Sequence, residues 1–148
     1  MPTLYLVATP IGNLEDITQR ALRVLGEVGI IAAEDTRKTL QLLNHFNIKA
    51  PLTSYHDHNK IKKLPFLLQK LESMDIALVS DAGTPGLNDP GYELICACIQ
   101  QKIPVVPIPG PSAVLTALIV SGMSTEQFVY LGYLPRKSGA RRRTLESL

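Results

Sequence analysis

Tryptophan is absent from this 148-residue chain, and only three Phe and five Tyr supply aromatic surface. A core built from it must be largely aliphatic. Its two cysteines, Cys96 and Cys98, are too few for a disulfide scaffold. They stand two apart in a segment that reads as helix, a spacing that turns them to nearly opposite faces and prevents pairing. Small buried hydrophobes in a reducing compartment are the simpler reading. No apolar run is long enough to span a bilayer. The N-terminus shows neither a basic region nor a cleavable apolar stretch, so no secretory signal is read and the expected location is the cytoplasm. Two nucleotide signatures are missing as well. No Gly-x-Gly-x-x-Gly follows the first apolar run and no Gly-Lys-Ser/Thr occurs, which removes the dinucleotide fingerprint and the P-loop.

What is present is ordinary in bulk: 45% hydrophobic and 19% charged residues, as in soluble globular domains. The length suits one well-packed domain and a fragment of another. Charge is uneven. The net +2 divides into −2 over residues 1–134 (ten Lys/Arg, twelve Asp/Glu) and +4 over 135–148 (five against one). The chain is a slightly acidic body with a basic ending.

Short apolar runs alternate with amphipathic stretches, the pattern of βα units around a mostly parallel sheet. Strands are expected at 3–8, 29–33, 51–55, 76–80 and 104–108, and helices at about 16–27, 36–46, 59–73, 91–101 and 111–121. Ala21, Leu22, Leu25 and Val28 repeat at helical spacing, as do Leu64, Leu67, Leu68 and Leu71. Thr36 and Asn59 read as N-caps, Pro111 suits a first helical turn, and Pro65 shortens the third helix. Beyond Ser121 the pattern changes: 128–134 reads as a new strand and Thr144–Leu148 as the opening turn of a helix. The expectation is an α/β domain over 1–122, with a mostly parallel five-stranded sheet flanked by helices. A linker and the start of a truncated second α/β domain follow over 123–148.

Three loops rich in Gly and Pro follow apolar strands: Thr9–Asn13, Asp81–Gly91 and Pro109–Ala113. Gly reaches φ values other residues avoid and Pro fixes φ, so these loops are shaped. In open α/β sheets ligands lie outside the carboxyl ends of the strands, and three such loops predict one binding site. Read with Ala33-Glu34-Asp35-Thr36-Arg37 and His56-Asp57-His58-Asn59, the set resembles the tetrapyrrole-methylase fold family of S-adenosylmethionine-dependent methyltransferases. Within it, the resemblance is to the branch that methylates a cytidine 2′-hydroxyl in small-subunit ribosomal RNA. It implies a two-domain enzyme, a cofactor (S-adenosylmethionine) held between the domains, a homodimer, and ribosomal RNA or a ribosomal subunit as partner.

The resemblance places the cofactor at Asp81, Ala82, Gly83, Gly86 and Leu87, at Ser112 and Ala113, and beside Pro10. Small residues let backbone groups approach a ligand, and a carboxylate accepts bonds from an ammonium or hydroxyls. The bland alternatives are a tight turn capped by Asp81, N-terminal helix chemistry at Ser112, and a strand-ending turn at Pro10. Glu34, Asp35 and Arg37 either face the cleft, positioning a ribose or its proton acceptor, or serve the helix N-terminus. Asp35, Glu34 and His56, in that order, are the candidate bases. His56 and His58 have no third ligand on their side and methyl transfer needs no metal, so no metal is expected; a polar loop before Asn59 is the alternative. Arg136, Lys137, Arg141, Arg142 and Arg143 either meet RNA phosphates or form a solvated run. Two rival readings remain: methylation of a small tetrapyrrole-like substrate, and a non-catalytic binding module.

Overall fold

Five aliphatic runs form the sheet: β1 (Leu4–Val7), β2 (Ile30–Ala33), β3 (Leu52–Ser54), β4 (Ile76–Val79) and β5 (Val105–Ile108). In the computed structural model, which describes residues 1–148, their order is β3-β2-β4-β1-β5 and every pair is parallel. Side chains alternate between faces. Val7, Ile31, Ala33, Ala77, Val79 and Ile108 turn to one face and pack with helices α1 (Gln19–Glu27) and α2 (Thr36–His45). Leu4, Ala32, Ile76 and Leu78 turn to the other, against α3 (Lys60–Lys70) and α4 (Tyr92–Gln100), through Leu67, Leu71, Leu94 and Cys98. All four residues of β4 are buried, as expected of a parallel strand covered on both faces.

The connections place the site. From β1 the chain moves to β2 and β3 on one side, over α1 and α2. It then returns through β4 to β5, over α3 and α4. Right-handed crossovers require this division of helices between the faces. Adjacent strands β1 and β4 therefore send the chain in opposite directions, and a crevice opens at their carboxyl ends.

Several local expectations are corrected. The α2 cap is Asp35 rather than Thr36: its Oδ1 accepts from the Arg37 amide at 2.9 Å. Asn59 occupies the cap position of α3 without a capping bond, because its Oδ1 accepts from the His56 amide instead. Pro65 lies inside α3 and does not start it; its missing N–H leaves one ladder bond unmade while Leu67 holds the helix to the core. Helix α5 (Ala113–Val120) begins after Pro111, with Ser112 as its cap. Residues 128–134 form no strand, because no partner strand lies beside them to pair their backbone groups. They fold instead across the loop after β4, where Asn88 Nδ2 donates to the Tyr130 hydroxyl at 2.7 Å. The terminal helix α6 (Ser138–Glu146) starts six residues before Thr144 and encloses Arg141–Arg143, since Arg and Ala favour helix. No helix is long and apolar enough to cross a membrane.

Candidate functional site

The β1 and β4 loops are tied across the crevice by a two-bond bridge: Thr9 N–H to Gly83 O and Gly83 N–H to Thr9 O, each 2.9 Å. Gly83 sits at φ +81, where a side chain would strain the turn that forms the bridge. The β5 loop closes in from the other side. A Cβ on Gly110 would stand 2.9 Å from Ala8 Cβ, so glycine there permits the contact of the two strand ends. The three shaped loops do assemble.

On one side of the bridge lies the apolar groove, two adjoining lobes of about 450 and 300 Å3, the larger strongly apolar and the smaller mixed, with Asp89 in its lining. Ala82, Gly83, Leu87, Ser112 and Ala113, five of the residues expected to meet a cofactor, line it. Ser112 Oγ caps α5 through the Leu115 amide at 3.5 Å, and the amides of Ala113 and Val114 begin the helix without intrahelical partners. Phe128, Tyr130 and Tyr133 form the far wall and were missed. Their signal was present, since three of the chain's eight aromatics fall within these six residues. Gly86 lines neither groove; at φ +83 it shapes the loop behind Leu87.

Across the bridge lies a polar groove of about 240 Å3. Pro10 and Asp81 belong to this one, so the structure divides the predicted cofactor set into two neighbouring sites. Lys38 and Gln41 from α2 complete its wall, and buried Thr39 and Ser80 contribute to its lining. Sequence reading overlooked Lys38, Thr39 and Gln41 because single polar positions along a helix announce nothing locally.

Beside the polar groove stands a carboxylate lattice. Asp81 Oδ1 accepts from the Asp35 amide at 3.0 Å, and Glu34 Oε2 accepts from the Asp81 amide at 3.1 Å. Lys38 Nζ donates to Asp81 Oδ2 at 2.6 Å. Asp81 thus fastens the β2 and β4 loops together instead of capping its own turn. The two acids of the β2 loop are electrostatically unlike. The Arg37 guanidinium grips both Asp35 oxygens, Nε to Oδ1 at 3.0 Å and an NH2 group to Oδ2 at 2.7 Å. That fork holds the Asp35 carboxyl well below the usual carboxylate range. Burial, with repulsion from Asp81 and Asp89, pushes Glu34 up against the opposing Asp81 amide and Lys38.

His56 stands apart at the edge strand. Asn59 Nδ2 lies 3.1 Å from its Nε2 and also donates to Ser54 O and Oγ, at 3.3 and 3.0 Å, while the Asn59 oxygen accepts from the His56 N–H. Nδ1 is buried without a partner. His56 and His58 ring centroids are 6.0 Å apart, yet no group of three His, Cys, Asp or Glu side chains could hold a metal ion. Arg136, Lys137, Arg141, Arg142 and Arg143 are all exposed, the last three on α6. Arg142 pairs with Glu146 one turn on, at 2.8 Å.

The sequence pattern of the family described as tetrapyrrole (corrin/porphyrin) methylases matches residues 3–148. Ribosomal RNA small subunit methyltransferase I of Halalkalibacterium halodurans is 58% identical over 145 residues, 97% of this chain and 50% of that protein. The protein of the same description from Escherichia coli O157:H7 is 57% identical over 146 residues, 98% of this chain and 51% of its own. The chain therefore spans about half the length of these relatives. Among solved structures, native uroporphyrin III C-methyl transferase from Thermus thermophilus superposes with a TM-score of 0.61 at 19% identity, covering 78% of this chain and 51% of that one. A form of that enzyme complexed with S-adenyl homocysteine gives 0.60 at 22% identity, with the same coverage. At these identities the likeness is one of fold.

Proposed function

This chain belongs to the tetrapyrrole (corrin/porphyrin) methylase family, and from that membership we propose that it is the N-terminal half of an S-adenosylmethionine-dependent RNA methyltransferase. Its target is a cytidine 2′-hydroxyl in small-subunit ribosomal RNA, in the cytoplasm. One observation carries the reading: an apolar and a polar groove meet at a single bridge, in a chain 58% identical to a protein named for ribosomal RNA methylation. We divide the chain at residues 122 and 123, with the second domain supplied by the remaining half of the longer protein.

The apolar groove fits the cofactor. Small side chains at Ala82, Gly83 and Ala113 leave backbone exposed, the amides at the start of α5 are free to donate, and Phe128 and Tyr130 offer flat apolar faces. Bound there, S-adenosylmethionine supplies an electrophilic methyl group. The chain's own tasks are to fix the ribose beside it and to receive the hydroxyl proton. Positioning two bound reactants can contribute roughly 7–11 kcal/mol. A base works best with a pKa near the working pH, which favours Glu34, raised by burial, over Asp35, held ionised by Arg37. His56 ranks last, since it stands at the edge strand with its Nε2 against Asn59 and lines neither groove.

Arg136, Lys137, Arg141 and Arg143 are free to meet RNA phosphates, each contact adding salt-dependent affinity. Arg142 and Arg37 must first leave Glu146 and Asp35. A second copy completes the assembly as a homodimer. Its support is α5, an apolar helix with no buried residue, since helices apolar all round are normally covered.

Calorimetric titration with S-adenosylhomocysteine tests the cofactor site. The chain should bind it, and Ala113→Phe, which fills the groove from an exposed position, should abolish the heat. Equal binding by both proteins would refute this placement. Extended to the length of its relatives, the protein should methylate small-subunit RNA at a cytidine 2′-oxygen; methylation of a tetrapyrrole instead would overturn the substrate.

A further inference from the structure

The polar groove has no task in holding the cofactor. At about 240 Å3 it falls below the roughly 300–1,000 Å3 of sites that enclose drug-sized ligands. That size suits one flat heterocycle with its sugar at the mouth. Its wall is formed by Lys38, Gln41 and Leu42, which share one face of α2 at helical spacing. Its floor includes the hydroxyl-bearing Thr9, Thr39 and Ser80, all buried. Such a lining, polar around the rim with an aliphatic side, matches a nucleobase better than a lipid or a peptide side chain.

The Lys38–Asp81 pair adds direction. Lysine's ammonium only donates and an ionised aspartate only accepts, so neither can be turned round as an amide can. Asp81 uses one bond on each oxygen, to the Asp35 amide and to Lys38, leaving further lone pairs open. Lys38 spends one of its three protons on Asp81 and has a 60% exposed side chain. Cytosine carries a donating amino group beside an accepting ring nitrogen. Uracil presents the reverse order, an accepting oxygen beside a donating N–H. Where the ribose is fixed at the bridge, so that the ring cannot slide by one edge position to offer N3–H and O2 instead, a fixed acceptor next to a fixed donor complements cytosine and opposes uracil, as acidic side chains accept from the cytosine amino group in DNA grooves.

We propose that this groove seats the base of the target nucleotide, and that Lys38, beside Asp81, is the residue that selects cytosine. The inference rests on the methyltransferase reading and gives its substrate a place. The base enters between α2 and the β1 loop, and its ribose emerges at the bridge, facing the apolar groove.

The test is a two-dimensional NMR titration of this 148-residue chain with cytidine 5′-monophosphate and uridine 5′-monophosphate, followed by S-adenosylhomocysteine. Cytidine monophosphate should move the amides of Thr9, Lys38, Gln41 and Ser80, and bind at least about fivefold tighter than uridine monophosphate, the low end for one paired contact. Lys38→Gln presents an amide that can turn either way. It should bring the two nucleotides to equal affinity, while retained uridine monophosphate binding shows the groove intact. Cytidine monophosphate shifts centred on Leu87, Val114 and Tyr130, an absence of nucleotide binding, or a cytidine preference that survives in Lys38→Gln would each overturn the proposal. S-adenosylhomocysteine reports separately on the reading beneath it. Its binding at the apolar groove, with no nucleotide at the polar one, sinks this inference alone; its failure to bind sinks the methyltransferase site as well.

Discussion

Replacing Asp81 separates its structural role from its charge. Its carboxylate holds the Asp35 amide at 3.0 Å and faces Lys38 at 2.6 Å, while its own amide is held by Glu34. Alanine removes both side-chain contacts and leaves the Asp35 N–H without a protein partner. An unsatisfied buried donor costs about 1–3 kcal/mol, and because Asp35 is half-buried the lower part of that range applies, about 1–2 kcal/mol. Asparagine keeps an oxygen for the Asp35 amide and gives up only the charge opposite Lys38. That ion pair is screened by solvent on its Lys38 side and adds little to stability. Urea unfolding followed by circular dichroism reads the difference. With a slope of about 1–3 kcal/mol per molar, the Asp81→Ala midpoint should fall by on the order of 1 M, and the Asp81→Asn midpoint by much less. Equal losses for Ala and Asn would show that the charge, and not the bond to the β2 loop, does the fastening. An Ala midpoint matching the parent would refute the cross-link altogether.

Glu34, raised by burial, should show in the pH dependence of stability. A raised native pKa gives stability that is complete below the unfolded value, about 4.3 for glutamate, and is lost as pH rises through the native value. Urea midpoints measured from mildly acid to neutral pH should therefore decline less in Glu34→Gln than in the parent; parallel curves would contradict the assignment. Gly110→Ala puts a Cβ 2.9 Å from that of Ala8, and the overpacking should cost about 1–3 kcal/mol in the same urea assay. Burial pushes the Cys98 thiol up to about 11, while Cys96 is half-exposed on the same helix. Alkylation at about pH 8 should label Cys96 in the folded protein and Cys98 only after unfolding, because the thiolate is the reactive form; equal rates would show α4 to be loosely packed.

The sheet and its helices were legible because each strand is a short aliphatic run and each of the first four helices carries an apolar stripe. The loops were legible for a different reason. Gly83 and Gly110 occupy positions where a side chain would strain or clash, so the composition of those loops records their shape. Residues 128–134 misled because an apolar run looks alike as a strand and as a segment lying over a groove; only the absence of a neighbouring strand decides. The basic ending misled because consecutive arginines read as solvated coil, although arginine is a good helix former. The bond from Asp81 to Asp35 joins residues 46 apart, and no periodicity reports a tie of that length. Lys38 became visible only once α2 was laid beside the carboxyl end of β4.

The two grooves differ in lining because both loops bend as they cross the bridge, which sends the side chains of consecutive residues to different sides. Pro10 lines the polar groove and Ile11 the apolar one; Asp81 lines the polar groove and Ala82 the apolar one. Each loop therefore changes sides in a single residue. The Thr9–Gly83 bridge fixes this partition from both strands. The same geometry makes loop length critical. One residue inserted between Thr9 and Ile11, or between Ser80 and Gly83, would exchange which side chains face which groove while leaving the sheet below unchanged.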